Sequence, residues 1–232
     1  MKITKIHRKY LINKINILLF CFIILIGVLI TILSINRINK EYNWFEGNLA
    51  LISYLETILM YYKLVVINLV CYIWGNAFTL EFDSYHLLIT GYKNIKTKYV
   101  LSKVLVLSII TFSIVFINFY LMSLICGLCC KLIVFSKIFI ELFIKVLLIC
   151  VIYGLLSAFF TIIINNNYAC FLASGFFVLC ELISDNFDTI KLFYVFFPGL
   201  SQNYELCFGL FHLLSISIIY VFLVVLSFVN KK

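Results

Sequence analysis

Apolar residues fall along this chain in long runs, separated by short polar pieces. A bilayer core takes about 20 consecutive apolar residues per helix. Six segments fit that requirement: residues 15–35, 55–78 (with Lys63 inside), 104–128, 138–164, a shorter one at 168–184, and 206–229. The pattern predicts an all-α, polytopic integral membrane protein with six transmembrane helices, forming a single transmembrane domain over residues 1–232. The rest is divided among seven short pieces, none long enough for a soluble domain of about 50 residues. The first run is not read as a cleavable leader. Lys2, Lys5, Arg8, Lys9 and Lys14 make a basic start, but the run that follows is about 21 residues long and exits into Asn36-Arg37-Ile38-Asn39. A leader has a 7–15-residue apolar region and a small-residue cleavage site, so a retained helix is expected.

Composition agrees with the pattern. The chain is 65% hydrophobic, 18% aromatic and 12% charged, whereas soluble domains are about 45–50% apolar and about 25% charged. In water such a chain would expose large apolar patches. The net charge of +8 would suggest a nucleic-acid partner in a soluble protein; here it is sorted by side first. With the N-terminus inside, the inner pieces (1–14, 79–103, 165–167 and 230–232) hold eleven Lys/Arg and two acids, Glu81 and Asp83. The outer pieces hold five Lys/Arg and six acids, with Glu181 assigned to them, and Glu56, Lys63, Glu141 and Lys145 are embedded. That gives +9 inside and −1 outside. By the positive-inside rule both termini are cytoplasmic, and the basic balance serves orientation and anionic-lipid contact rather than nucleic acid.

Nine cysteines lie almost entirely at membrane depth, which does not make a disulfide framework. Cys126-x-x-Cys129-Cys130 has metal-like spacing, with no His or carboxylate nearby to complete four ligands. Small apolar packing is the expected role, and no metal site is assigned. Ser174 and His212 could be imagined as an intramembrane Ser–His dyad, but Ser174 lacks a G-x-S setting; a local or interhelical hydrogen bond is the expectation. Gly154 with Ala158, and Ala169 with Ala173 and Gly175, make small-residue faces that suit close helix packing within or between chains. Tyr42, Trp44, Phe45, Tyr72, Trp74, Phe193, Tyr194, Phe196 and Phe197 read as interfacial aromatic belts.

The loop between the second and third spans, residues 79–103, is the longest inner connection. Tyr85, Leu88 and Ile89 share one helical face, Gly91 is placed to end that helix, and a basic helical lead-in runs through Tyr99 and Lys103, where lysine can snorkel to the interface. An apolar face on such a loop lies on headgroups or docks on a soluble partner. In order and spacing Glu81, Leu87-Leu88, Gly91-Tyr92-Lys93 and Lys103 resemble the loop of ABC-2-type permeases, the membrane subunits of ATP-binding-cassette exporters. The segment Gly91-Tyr92-Lys93-Asn94 stands where that family often has Pro-hydrophobic-Ser-Arg, and Ser84-Tyr85 where it often has glycine.

The resemblance implies six spans, cytoplasmic termini and a bacterial plasma-membrane location. It also implies a coupling helix at Phe82–Tyr92 that docks on a cytoplasmic ATPase, with Glu81, Phe82, Tyr85, Leu87, Leu88, Gly91, Tyr92 and Lys103 as the coupling residues. The partners implied are that ATPase, carrying ATP and Mg, a second copy or related permease, and membrane lipids. Phe196-Phe197-Pro198-Gly199, in the outer loop 185–205, is similar to a re-entrant element of the family. Small permeases of bacteriocin self-protection or peptide export are similar in size, so a peptide, lipid-like or drug-like substrate is implied.

The chain contains no G-x-x-x-x-G-K-[ST] phosphate loop. It is therefore expected to be a non-catalytic subunit binding no cofactor, with any motor on another chain. The alternative is an ATP-independent six-span carrier or channel, which would bring charged residues together at the midplane. Glu56 and Lys63, seven residues apart on one helical face, are the candidate pathway residues. They either face a polar cavity or partner helix, or Lys63 snorkels outward. Glu141 and Lys145, at i,i+4 in favourable order, are expected to pair with each other.

Overall fold

The computed structural model describes residues 14–41, 47–79, 93–130, 137–184, 197–200 and 206–230. Its elements are α1 (Lys14–Glu41), α2 (Gly47–Tyr61), a π-helical turn (Tyr62–Val66), α3 (Ile67–Thr79), α4 (Lys93–Cys130), α5 (Lys137–Ile164), a 3-10 turn (Asn167–Ala169), α6 (Cys170–Ser184) and α7 (Leu206–Asn230). There is no strand among the described residues. Each apolar run has become a helix, because a run that offers no water to the backbone leaves it only its own N–H and C=O groups as partners. Among the described residues, five helices are long and apolar enough to cross a membrane: Leu18–Arg37, Ile52–Thr79, Lys96–Cys129, Phe139–Ile164 and Gly209–Asn230. The remaining run gives α6, whose 15 residues rise about 22 Å at 1.5 Å each, short of a hydrocarbon core of about 30 Å.

Two helices begin earlier than their apolar runs. The second starts at Gly47 rather than near residue 55. The fourth takes in the whole basic lead-in from Lys93. Of the residues that carry the ABC-2 resemblance, Glu81, Phe82, Tyr85, Leu87, Leu88, Gly91 and Tyr92 lie outside the described residues, and Lys103 lies within α4.

The core sits where α3 packs along α5, with α7 on the other side of α5. Its polar links are interhelical. The hydroxyl of Tyr54 donates to the Met122 carbonyl at 2.6 Å, that of Tyr61 to Ile23 at 2.7 Å, and that of Tyr62 to Val115 at 3.1 Å. These tie the second helix to α1 and α4. Ser157 Oγ donates to the Cys71 carbonyl at 2.5 Å, joining α5 to α3. Such bonds hold helices together where lipid supplies no hydrophobic drive between them. Large apolar side chains point outward instead: Leu25, Leu29 and Ile32 on α1, Leu105 and Ile109 on α4, Ile218 and Phe222 on α7.

Trp74 is not a belt residue. It is fully buried in the core, where its indole N–H donates to Thr111 Oγ1 at 2.9 Å. The reason is on another helix: at Gly154 of α5 a Cβ would stand 2.7 Å from two atoms of the Trp74 indole, so only glycine admits the ring. The small-residue positions Gly154, Ala158 and Ala173 are thus used inside the chain, all of them buried. Tyr72, half-buried, lies beside Phe171 of α6 at 6.5 Å between ring centroids.

The turn from α5 to α6 is built by asparagines. Asn165 takes φ 57°, the left-handed conformation that ends helices and that Asn tolerates better than most residues. Its N–H returns to Thr161 O at 2.9 Å. Asn166 Oδ1 then accepts from the Tyr168 N–H at 3.0 Å.

Candidate functional site

Three charged side chains meet deep in the helical bundle, each brought by a different element. Lys63 comes from the π-helical turn, roughly midway along the stretch Ile52–Thr79. A π turn holds one residue more than an α turn and recurs at functional positions. Glu181 comes from the last turn of α6, and Lys145 from the third turn of α5. The Lys63 ammonium stands 2.6 Å from Glu181 Oε2, with the two side chains 21% and 12% exposed.

The fourth member is backbone. Phe197–Leu200 is non-helical, and Pro198, Gly199 and Leu200 are buried. Buried peptide groups need partners, and this segment cannot find them in a helix ladder. The Leu200 N–H donates to Glu181 Oε1, and the Leu200 carbonyl accepts from Lys145 Nζ at 2.7 Å. Pro198 brings no N–H to satisfy. At Gly199 a Cβ would lie 2.9 Å from Glu181 Oε1, so the carboxylate can reach the chain only because that position has no side chain. The Phe197 ring stacks on Phe176 of α6 at 5.2 Å and 8° between planes, and Phe176 in turn on Phe160 of α5 at 5.6 Å.

Glu181 therefore uses both carboxylate oxygens, one on the second membrane helix and one on the Pro-Gly segment. Charge-assisted hydrogen bonds of this kind are worth about 1.5–3 kcal/mol. Removing one partner of a buried ion pair costs about 3–5 kcal/mol, a figure that partial exposure here brings down.

These contacts revise several expectations. Glu181, assigned to the outer pieces, is largely buried within the bundle, where it meets Lys63 of another helix. Lys63 does not snorkel outward; it reaches a partner helix. Glu56 does not join it and is exposed. Lys145 donates to the Leu200 carbonyl. The sequence signal that could have found the cluster is an acid inside the apolar run of residues 168–184, opposite a lysine inside another run: ionisable residues at such depth are rare and partnered.

Lys103 sits at the opposite end of the bundle. Rather than reaching the interface it is 1% exposed, with its ammonium 4.5 Å from the centroid of the Phe78 ring and 5.8 Å from that of Tyr99. Phe228 of α7 closes this aromatic group against both rings. Desolvated cation–π contacts are worth about 2 kcal/mol, which offsets the loss of water around the ammonium. The Ser174 hydroxyl is engaged with its own helix, donating to Phe171 O at 3.0 Å. Cys126 is buried and Cys129 exposed, both as free thiols, and no group of three or more potential metal ligands occurs among the described residues.

Comparison with protein-family models, with curated proteins and with solved structures finds no match. The chemistry available is therefore that of the chain itself: an embedded ion pair that grips a non-helical segment inside a bundle of membrane-length helices.

Proposed function

We propose that this chain is the transmembrane permease subunit of an ABC-2-type exporter in the bacterial plasma membrane, with six spans and both termini in the cytoplasm. A separate cytoplasmic ATPase would supply ATP hydrolysis. A second copy or a related permease would complete the pathway for a peptide, lipid-like or drug-like substrate. The observation that carries this reading is the Pro-Gly segment. The resemblance in the loop 79–103 implies a re-entrant element between the last two spans, and Phe197–Leu200 is a non-helical segment folded into the bundle just there. The basic helical lead-in from Lys93 to Lys103 supports it further, as does the absence from the sequence of any phosphate loop.

Mechanistically, closure of the ATPases would push on Phe82–Tyr92. That motion would pass into the second and third spans, which leave the loop on either side, and switch access across the bilayer. The test is copurification in detergent from the native membrane. A P-loop ATPase is expected with the wild-type chain and is expected to be lost from Leu88→Asp, which places a charge on the docking face while the protein still inserts. Absence of any ATPase from the wild type, or full retention by Leu88→Asp, overturns the assignment.

The convergence of Lys63, Glu181 and Lys145 favours a second reading, an ion-coupled carrier, since embedded charges that meet are its hallmark. The exporter is preferred because Glu181 and Lys145 both bond to the backbone of Leu200, the work of a strap rather than of an ion site. Substrate flux driven by a proton gradient in vesicles free of ATP would reverse that preference.

A further inference from the structure

We infer that Glu181 is a latch holding Phe197–Leu200 inside the bundle, and that Lys63 makes the latch answer to movement of the second membrane helix. Three observations lead there. First, the segment is buried without a helix or sheet ladder, so its place depends on side chains that satisfy its backbone. The two that do so at Leu200 are Glu181 at the N–H and Lys145 at the C=O. Second, the same carboxylate is shared: its other oxygen holds Lys63 at 2.6 Å. A shift of Lys63 therefore changes the surroundings and position of the group on which Leu200 hangs. Third, Lys63 lies in the π-helical turn Tyr62–Val66. There the ladder is already widened, and a change between π and α winding moves one side chain by a residue's rotation without unfolding the helix.

The result is a bistable contact. With Lys63 in place, Glu181 is fixed and the segment is seated. With Lys63 withdrawn, the carboxylate is released toward Lys145 and the Leu200 peptide loses its acceptor. The segment is then free to leave the bundle, opening that end. On the permease reading this is a gate worked through the helix that leads to the loop 79–103. The contact itself rests only on the packing, and its test uses neither nucleotide, ATPase nor substrate, so failure of one idea is distinguishable from failure of the other.

The test is amide hydrogen exchange, followed by mass spectrometry over peptides containing residues 197–200, of the full chain in lipid nanodiscs. Loss of a charge-assisted bond at the Leu200 N–H is expected to speed exchange about 10- to 100-fold in Glu181→Leu. Lys63→Met, at a residue not bonded to Leu200 in the seated state, is expected to speed it several-fold. The decisive variant is the swap Lys63→Glu with Glu181→Lys. It rebuilds an ion pair, so thermal stability should return toward the wild type, but a lysine at 181 cannot accept the Leu200 N–H and exchange should stay fast. Should the swap fail to insert, Lys145→Met carries the same test through the Leu200 carbonyl, with the Lys63–Glu181 pair intact, and should also speed exchange. Wild-type protection in Glu181→Leu or Lys145→Met, or recovery of slow exchange in the swap, overturns the latch. Unchanged exchange in Lys63→Met overturns its link to the second helix.

Discussion

Replacing Gly154 by alanine puts a methyl group where the indole of Trp74 already lies. The added carbon would stand 2.7 Å from two ring atoms and 2.8 Å from a third, whereas carbon contacts settle at about 3.5–4.0 Å. Either α3 and α5 part by about 1 Å along their most extensive contact, or the ring turns away and abandons Thr111. Overpacking of this kind costs about 1–3 kcal/mol, and the lost indole hydrogen bond about 1 kcal/mol more. Against this, alanine is the better helix former by about 0.8–1.0 kcal/mol. The net expectation is destabilisation by about 1–3 kcal/mol, read as the midpoint of unfolding by SDS in mixed micelles. The sign decides the matter, because without the contact propensity alone acts and alanine stabilises. Gly175→Ala is the control: nothing lies within 4 Å of its Cβ position, so it should be neutral or mildly stabilising. A second check is the double variant Gly154→Ala with Trp74→Phe, which should recover part of the loss by making room. Stabilisation by Gly154→Ala, or strict additivity in the double variant, would refute the reasoning.

Two further outcomes follow from the packing. Asn165→Val should lower the midpoint by about 1–2 kcal/mol in the same titration, because a β-branched residue is strained at φ 57°; Asn165→Gly should stay within a few tenths of the wild type, and equal behaviour of the two would contradict the turn. Phe78→Leu removes the ring beneath the Lys103 ammonium but leaves the charge buried, and should cost about 2 kcal/mol beyond the lost apolar area. The cost should shrink when Lys103 is already methionine, and an unchanged cost in that background would sink the cation–π assignment.

Much of the fold is written in the runs. Unbroken apolar stretches have one backbone solution, so residues 138–164 and 206–229 correspond almost residue for residue to α5 and α7. Three other features depend on residues far apart in sequence. Trp74 looks like an interfacial aromatic until Gly154 is seen to make room for it. Lys103 looks like a snorkelling lysine until Phe78 and Tyr99 are seen to shelter it. Glu181 stands near the end of its run and reads as a surface acid, because the lysine that partners it lies on another helix. A one-dimensional pattern reports how apolar a neighbourhood is, but not which two exceptions face each other.

The π turn divides the second membrane helix into two stretches of different phase. Ahead of it the buried positions are Tyr54, Leu55, Ile58 and Tyr61; beyond it they include Ile67, Val70, Cys71, Trp74, Ala77 and Phe78, with Tyr62 and Val66 buried at the two ends of the turn itself. Carried forward with a repeat of 3.6, the first series would bury residues 65 and 69, both only half-buried, and miss its mark by about one position. The helix thus contains one residue more than a straight rod would need to present a single stripe. Deleting one residue between Tyr62 and Val66 would let the two halves run on as one straight α-helix with a single buried stripe, and would remove the widened turn that carries Lys63.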